Sequence, residues 1–268
     1  MRRKSLWLMV VACVLGLAHG AWAADTVIHN EMRTGYPNHV STTNLVCTSP
    51  STCYQVYVDG LDSDLKYRKT INAGASWQSA IIIKAGITTT NSALWYDKWT
   101  TSDTGTKIHL LYSESVNDDL FYNYIDTGAS DAMGVERTVY AGTAFVQQGV
   151  LQISKSRGGT LYVAWCNNGT CSEADFYKST DLFASAATNL EGGTTFIEST
   201  NSDKFVLVPA NLADNEDMWA IYQDATANEV SLKTYDASAD TWSEQAIGNV
   251  SEGDGAHSII GPELGVSI

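Results

Sequence analysis

Basic residues are few in this chain: 16 lysines and arginines stand against 30 acidic residues, a formal balance of -14. Arg2, Arg3 and Lys4 fall in a removable leader, described below. Without them 13 basic groups face 30 acids, and the balance is -17. Such a surface repels phosphate backbones and anionic lipid, which excludes nucleic acid and the membrane surface as partners. Helical patterning is missing as well. No stretch beyond the leader keeps an apolar period of about 3.6 residues for three turns, so almost no helix is expected. No later segment approaches the ~20 apolar residues of a membrane span. Common catalytic signatures are also absent: there is no His-Glu-x-x-His, no Gly-x-Ser-x-Gly and no phosphate loop. His29, His39, His109 and His257 stand isolated. His109 lies beside Leu110 and Leu111 in a strand-like run and reads as a packed or rim histidine. What the chain has is aromatic bulk: 13 Tyr and 8 Trp against 6 Phe, within a composition that is 44% apolar. That much apolar surface offsets the entropy of ordering and excludes disorder.

The N-terminus reads as an address. Arg2, Arg3 and Lys4 precede an apolar run from Leu6 to Leu17, and Ala21-Trp22-Ala23 has the small-x-small form of a cleavage site. Residues 1–23 are expected to be a secretory signal, with the mature chain starting at Ala24 or Asp25. A membrane anchor is the alternative, and the run is short for it at 1.5 Å per residue. Lipid attachment at Cys13 is another, but the apolar run continues past it. The remaining cysteines form two close pairs, Cys47 with Cys53 and Cys166 with Cys171, each flanking turn-forming residues. They predict two hairpin disulfides made in an oxidising compartment, each contributing about 2 kcal/mol. Four free thiols are the alternative, and no histidine stands near them at zinc spacing. Asn168-Gly169-Thr170 and Asn249-Val250-Ser251 fit glycan-attachment sequons.

Four segments share one skeleton. They are Thr70-Ile71-Asn72-Ala73-Gly74-Ala75-Ser76-Trp77, then Tyr124 to Asp131, then Ser179 to Ser185, then Thr234 to Trp242. Their central residues, Asn72, Asp126, Asp181 and Asp236, are spaced by 54, 55 and 55. Upstream of each lie two β-rich runs separated by turn residues, such as Tyr54 to Val58 and Leu65 to Lys69. Consecutive hairpins in a period of about 50 residues are the signature of propeller blades of four strands. The predicted fold is therefore all-β: a β-propeller of antiparallel four-stranded blades over residues 24–268. Blades are expected at about 35–84, 85–142, 143–194 and 195–249, with a partial fifth at 250–268. Stacked hairpins in a sandwich are the alternative.

The repeated skeleton resembles the aspartate box, Ser-x-Asp-x-Gly-x-Thr-Trp, of the sialidase superfamily, with Asn72 in place of the aspartate in the first copy. In that family the boxes are folding devices remote from the substrate, and that role is expected for Asn72, Asp126, Asp181 and Asp236. Sialidases grip a substrate carboxylate with three arginines and use a tyrosine nucleophile, a glutamate partner and an aspartate acid/base. After residue 23 this chain holds only Arg33, Arg68, Arg137 and Arg157. Arg33 alone faintly resembles the first of the triad, so no catalytic residue is transferred. The resembled enzymes have six blades, and the chain is read as the N-terminal part of a longer protein. A small propeller closed by residues 25–32 is the alternative.

Binding without turnover is therefore the first functional expectation, of a carbohydrate or cell-surface ligand. The ligand end of a propeller lies where inner strands begin, here near His39, Asn91, Gln148, Lys204 and His257. Trp95-Tyr96-Asp97-Lys98-Trp99 joins aromatic faces to hydrogen-bonding groups, which suits sugar rings. The ligand candidates are thus His39, Gln148, His257, Trp95 and Asp97, although alternation along a strand would also let Trp95, Asp97 and Trp99 serve intersheet packing. The front part of an exo-acting glycosidase and an adhesion or assembly protein are the alternatives. No cofactor is expected. The acidic runs Asp59 to Asp64 and Asn117-Asp118-Asp119 have the oxygen chemistry for calcium, and solvated hairpin tips are the plainer reading.

Overall fold

The computed structural model of the chain describes residues 44–87, 92–114, 119–142, 151–166, 174–190, 205–224 and 229–249. These residues form four antiparallel sheets, each built from consecutive strands. The first holds β1 (Leu45–Cys47), β2 (Cys53–Val58), β3 (Leu65–Thr70) and β4 (Ile81–Lys84). The second holds β5 (Ser92–Tyr96), β6 (Lys107–Glu114) and β7 (Asp119–Asp126), followed by β8 (Ala132–Met133) and β9 (Arg137–Tyr140). Both β8 and β9 pair with β7, so together they make one interrupted outer strand. The third holds β10 (Leu151–Lys155), β11 (Leu161–Cys166), β12 (Ala174–Ser179) and β13 (Thr188–Asn189). The fourth holds β14 (Phe205–Pro209), β15 (Met218–Asp224), β16 (Glu229–Asp236) and β17 (Thr241–Asn249).

The first strands lie side by side in chain order, β1 next to β5, β5 next to β10 and β10 next to β14. Sheets that fan out from adjacent first strands are propeller blades. Strands such as β5 and β11 are apolar on both faces because the second and third sheets each pack between two neighbours. Three cores result. Val56, Tyr67 and Leu65 of the first sheet meet Leu94, Ile108 and Leu110 of the second. Leu111, Leu120 and Tyr122 of the second meet Leu151, Val163 and Trp165 of the third. Tyr162, Ala164 and Phe176 of the third meet Phe205, Leu207, Met218 and Tyr235 of the fourth. Trp242 closes the last of these edge-on, with ring centroids 4.9 Å from Phe176 and 5.1 Å from Tyr235.

Asn72, Asp126, Asp181 and Asp236 all stand where the third strand of a sheet turns toward its fourth. The first and third turns are the same object. Thr70 Oγ1 and Ser179 Oγ donate to Asn72 Oδ1 and Asp181 Oδ1, each at 2.9 Å. Four residues on, the Ser76 and Ser185 amides donate to Asn72 Oδ1 at 2.9 Å and to Asp181 Oδ2 at 3.0 Å. Both turns take two successive left-handed residues, Ala73 and Gly74 (φ 56° and 85°) and Leu182 and Phe183 (φ 58° and 60°). The glycine of one copy is thus a phenylalanine in the other. Phe183 is buried on Tyr122, with centroids 5.0 Å apart, and this contact accompanies a backbone conformation that glycine adopts at no steric cost. The second and fourth turns are tighter: Asp126 Oδ1 accepts from the Gly128 amide at 3.0 Å, and Asp236 Oδ1 from Ser238 and Ala239, also at 3.0 Å.

Cys47 and Cys53 are joined by a disulfide across the β1–β2 hairpin, where they are register partners. The Cys166–Cys171 pairing, residues 250–268 where a partial fifth blade is expected, residues 1–43 and Asn117-Asp118 of the second acidic run lie outside the described residues. One local expectation is corrected. Alternation does not run through Trp95, Asp97 and Trp99, because β5 stops at Tyr96 and Asp97–Trp99 forms a 3₁₀ turn closed by the Thr100 amide on the Asp97 carbonyl at 2.9 Å.

Candidate functional site

The described residues hold one dense ionisable cluster, at the joint between the second and third sheets. The 3₁₀ turn swings the Asp97 side chain inward, where its residue is 2% exposed. Asp97 Oδ1 faces His109 Nε2 at 2.9 Å and Lys155 Nζ at 2.6 Å, and Oδ2 accepts from the Lys107 amide at 2.8 Å. Lys155 also reaches Asp103 at 2.7 Å. His109 Nδ1 lies 2.7 Å from the Tyr122 hydroxyl. Because the carboxylate only accepts, the imidazole hydrogen belongs on Nε2, and Tyr122 donates to the bare Nδ1. Burial pushes the Asp97 carboxyl up, but the bonds from His109, Lys155 and the Lys107 amide outweigh it and hold it well below the usual carboxylate range. Burial lowers His109, more than its bond to Asp97 raises it. Lys155 is raised: burial opposes its charge, and Asp103 and Asp97 more than compensate. Asp97 and His109 are buried, Lys155 and Asp103 are partly exposed, and together these groups join the second and third sheets.

Trp95 shares this enclosure. It is 3% exposed, donates from Nε1 to Thr100 Oγ1 at 3.0 Å, and meets Trp99 edge-on at 5.6 Å. Thr100 passes the chain of bonds to the Lys155 carbonyl at 2.7 Å. Two of the expected ligand candidates, Trp95 and Asp97, are therefore interior groups at the end of β5, away from its start. His39, Gln148 and His257, and with them Asn91 and Lys204, lie outside the described residues.

The other joints carry clasps of the same kind. Asp131 of the second sheet accepts from Tyr54 at 2.5 Å and Lys69 at 2.6 Å of the first. Glu136 accepts from Lys84 of the first sheet and from Tyr112, both at 2.7 Å. Glu216, before β15, accepts from Ser156 Oγ of the third sheet at 2.6 Å, while its carbonyl accepts from Tyr162 at 3.0 Å. Sequence reading missed Lys155, Asp131, Glu136 and Glu216, yet a signal existed. The partners Asp97–Lys155, Ser156–Glu216 and Lys69–Asp131 are 58, 60 and 62 residues apart, close to one repeat.

The acidic run Asp59 to Asp64 is occupied by the chain itself. Lys66 Nζ pairs with Asp59 at 2.8 Å, with Asp62, and with Asp64 at 4.0 Å. An ammonium thus stands where a cation would bind, and Asp59 above all raises its affinity for the proton. Among the described residues no group of three histidine, cysteine or acidic side chains is arranged to hold a metal ion. The arginines do not converge either. Arg68 is on β3, Arg137 is on β9, and Arg157 spends its guanidinium on the Leu212 carbonyl, the Asp214 carbonyl at 3.3 Å and Asn211 Oδ1 at 3.4 Å. Arg33 lies outside the described residues. No helix among them is long and apolar enough to cross a membrane.

No protein-family model matches the chain, and no curated protein matches it in sequence. Solved structures do. An arginine-to-alanine triple mutant of AofleA from Arthrobotrys oligospora superposes with a TM-score of 0.52 at 12% identity, covering 77% of this chain and 57% of that one. The Hadza microbial sialidase Hz136 superposes with a TM-score of 0.50 at 12% identity, covering 80% of this chain and 47% of that one. The chain thus spans about half the length of these structures. At such identity the likeness concerns fold alone, and it agrees with the arrangement of the four sheets as propeller blades.

Proposed function

We propose that the protein is a secreted carbohydrate-recognition propeller that binds glycans without cleaving them through the residues present in this chain. The observation that carries this reading is the allocation of its charged groups. Every ionisable cluster described above is internally paired and placed at a blade joint or hairpin, and none presents the open arginine–carboxylate chemistry that a sialidase-type reaction needs. Ligand would bind at the axial end where β1, β5, β10 and β14 begin, with His39 and Gln148 in the segments that precede β1 and β10, and His257, after β17, as a third candidate. Residues 1–23 direct export, with cleavage near Ala23, and residues 24–268 form the propeller. The likeness to a sialidase in fold supports a second reading, the front part of an exo-acting glycosidase.

The test uses the full mature chain. Retention on immobilised glycans with no release of sialic acid from an artificial sialoside supports recognition. Release above background supports the glycosidase and overturns the first reading. Failure to bind any of the glycans overturns it too.

A further inference from the structure

Three of the four sheets end on short outer strands. These are β4 (4 residues) in the first, the interrupted β8 and β9 (2 and 4 residues) in the second, and β13 (2 residues) in the third. The fourth sheet ends on β17, whose 9 residues follow β16 along its whole length. Among the described residues no strand pairs with the outer side of β17. Thr241 and residues 243–248 are exposed. The result is a long row of backbone N–H and C=O groups open to another strand.

The devices that usually guard such an edge are missing from β17. It has no proline and no lysine, and its one ionisable side chain is Glu244. That carboxylate turns back onto its own sheet, where Oε1 accepts from the Tyr222 hydroxyl at 2.5 Å and Oε2 lies 3.6 Å from Lys233 Nζ. The edge is thus locally neutral in a chain whose balance is -14, and nothing on it repels a copy of itself. One irregularity is present. The register shifts between Val230 and Ser231, which leaves Ile247 without a register partner. Ile247 is apolar and 52% exposed, and β17 is regular from Thr241 to Ala246.

We propose that β17 is a homodimer interface, pairing antiparallel with β17 of a second copy so that two blades join into one continuous sheet. Antiparallel pairing of a strand with itself is the self-complementary contact that a two-fold axis generates. Opposed side chains then share a face only when a residue lies on the axis. Glu244 in that place would set two carboxylates against each other. Ser243 there would engage only residues 241–245. Gln245 there engages all 9 residues of the strand. It puts Thr241 opposite Asn249, Trp242 opposite Gly248, Ser243 opposite Ile247 and Glu244 opposite Ala246. No like charges meet, and a tryptophan stands across from a glycine, a pairing that shields the glycine backbone. In its sheet β17 is the strand farthest from β14, so the contact is independent of the ligand reading.

The experiment uses the full mature chain. Sedimentation equilibrium is expected to show a mass that rises with concentration from one chain to two. Gln245→Cys is expected to give a disulfide-linked dimer under mild oxidation, while Ala239→Cys, at an exposed position before the strand, stays unlinked. Gln245→Lys sets two ammonium groups together at the axis and is expected to weaken the dimer by about tenfold, with the circular dichroism spectrum unchanged. A monomer at every concentration up to about 1 mM overturns the proposal, whether the edge is bare or capped by the chain itself. A dimer that Gln245→Lys does not weaken and Gln245→Cys does not link overturns it too, because another surface then holds the copies. Should Gln245→Lys disturb the blade, the Gln245→Cys linkage decides: its presence supports the proposal and its absence overturns it.

Discussion

Lys155 Nζ lies 2.6 Å from Asp97 Oδ1, an ion pair that ties the first strand of the third sheet to the turn after the first strand of the second. Asp97 is almost fully buried, and Lys155 also serves Asp103, so one ammonium bridges two carboxylates. Removing it with Lys155→Met leaves an uncompensated buried charge, a loss of about 3 kcal/mol. Lys155→Met with Asp97→Asn removes both charges and recovers part of it. Urea denaturation of the three proteins checks the order.

His109 makes the same joint sensitive to acid. Its pKa in the folded protein is below its ordinary value because burial disfavours the imidazolium, so the unfolded chain takes up protons first. The neutral His109 therefore contributes stability that is complete above about pH 6.5 and is lost as pH falls below it. Asp97, depressed by its partners, adds a second loss below the ordinary carboxylate value near 4. Melting temperatures from pH 8 to 5 are expected to fall more steeply in the native protein than in His109→Gln.

Gly105 is required by Asp97 and not by its own backbone angle. A methyl group there collides with the Asp97 carboxylate, and one at Gly158 collides with Glu216. Gly105→Ala and Gly158→Ala are expected to cost about 1–3 kcal/mol each through displacement of those clasps. Gly86→Ala meets no atom within 4 Å and costs only the strain of φ +69°, about 1 kcal/mol. Thermal melts of the three variants separate the two causes.

The matched turns make a paired prediction. Asn72→Ala and Asp181→Ala each remove acceptors from the same two positions, a hydroxyl two residues before and an amide four residues after. Each is expected to cost about 1 kcal/mol by chemical denaturation, and Asn72→Asp to be nearly neutral. Reduction of Cys47–Cys53, which closes a hairpin of separation 6, is expected to cost about 2 kcal/mol in the same assay.

The repeat made the fold legible. The strand-like runs at Tyr54 to Val58 and Leu65 to Lys69 are β2 and β3, and the Asx residues mark the turns after β3, β7, β12 and β16. These features are local, written in a few adjacent residues. The joints are not. Asp97 and Lys155 meet because two sheets pack, and no window around either residue carries that information. Trp95 and Asp97 drew notice as sugar-binding groups for their aromatic and polar density. The same density fills a joint, where Trp95 bonds to Thr100 and Asp97 to His109. Phe183 in a left-handed position was equally hidden, because only its contact with Tyr122 shows why the side chain is kept there.

The central claim is that the charged clusters hold blades together while ligand binds elsewhere, at the end where the first strands begin. It is tested by retention of the native protein and Lys155→Met on one panel of immobilised sialylated, fucosylated and galactosylated glycans, at a temperature where both are folded, alongside their melting curves. The account predicts a lower melting temperature for Lys155→Met with unchanged retention. Loss of retention at an unchanged melting temperature would contradict it.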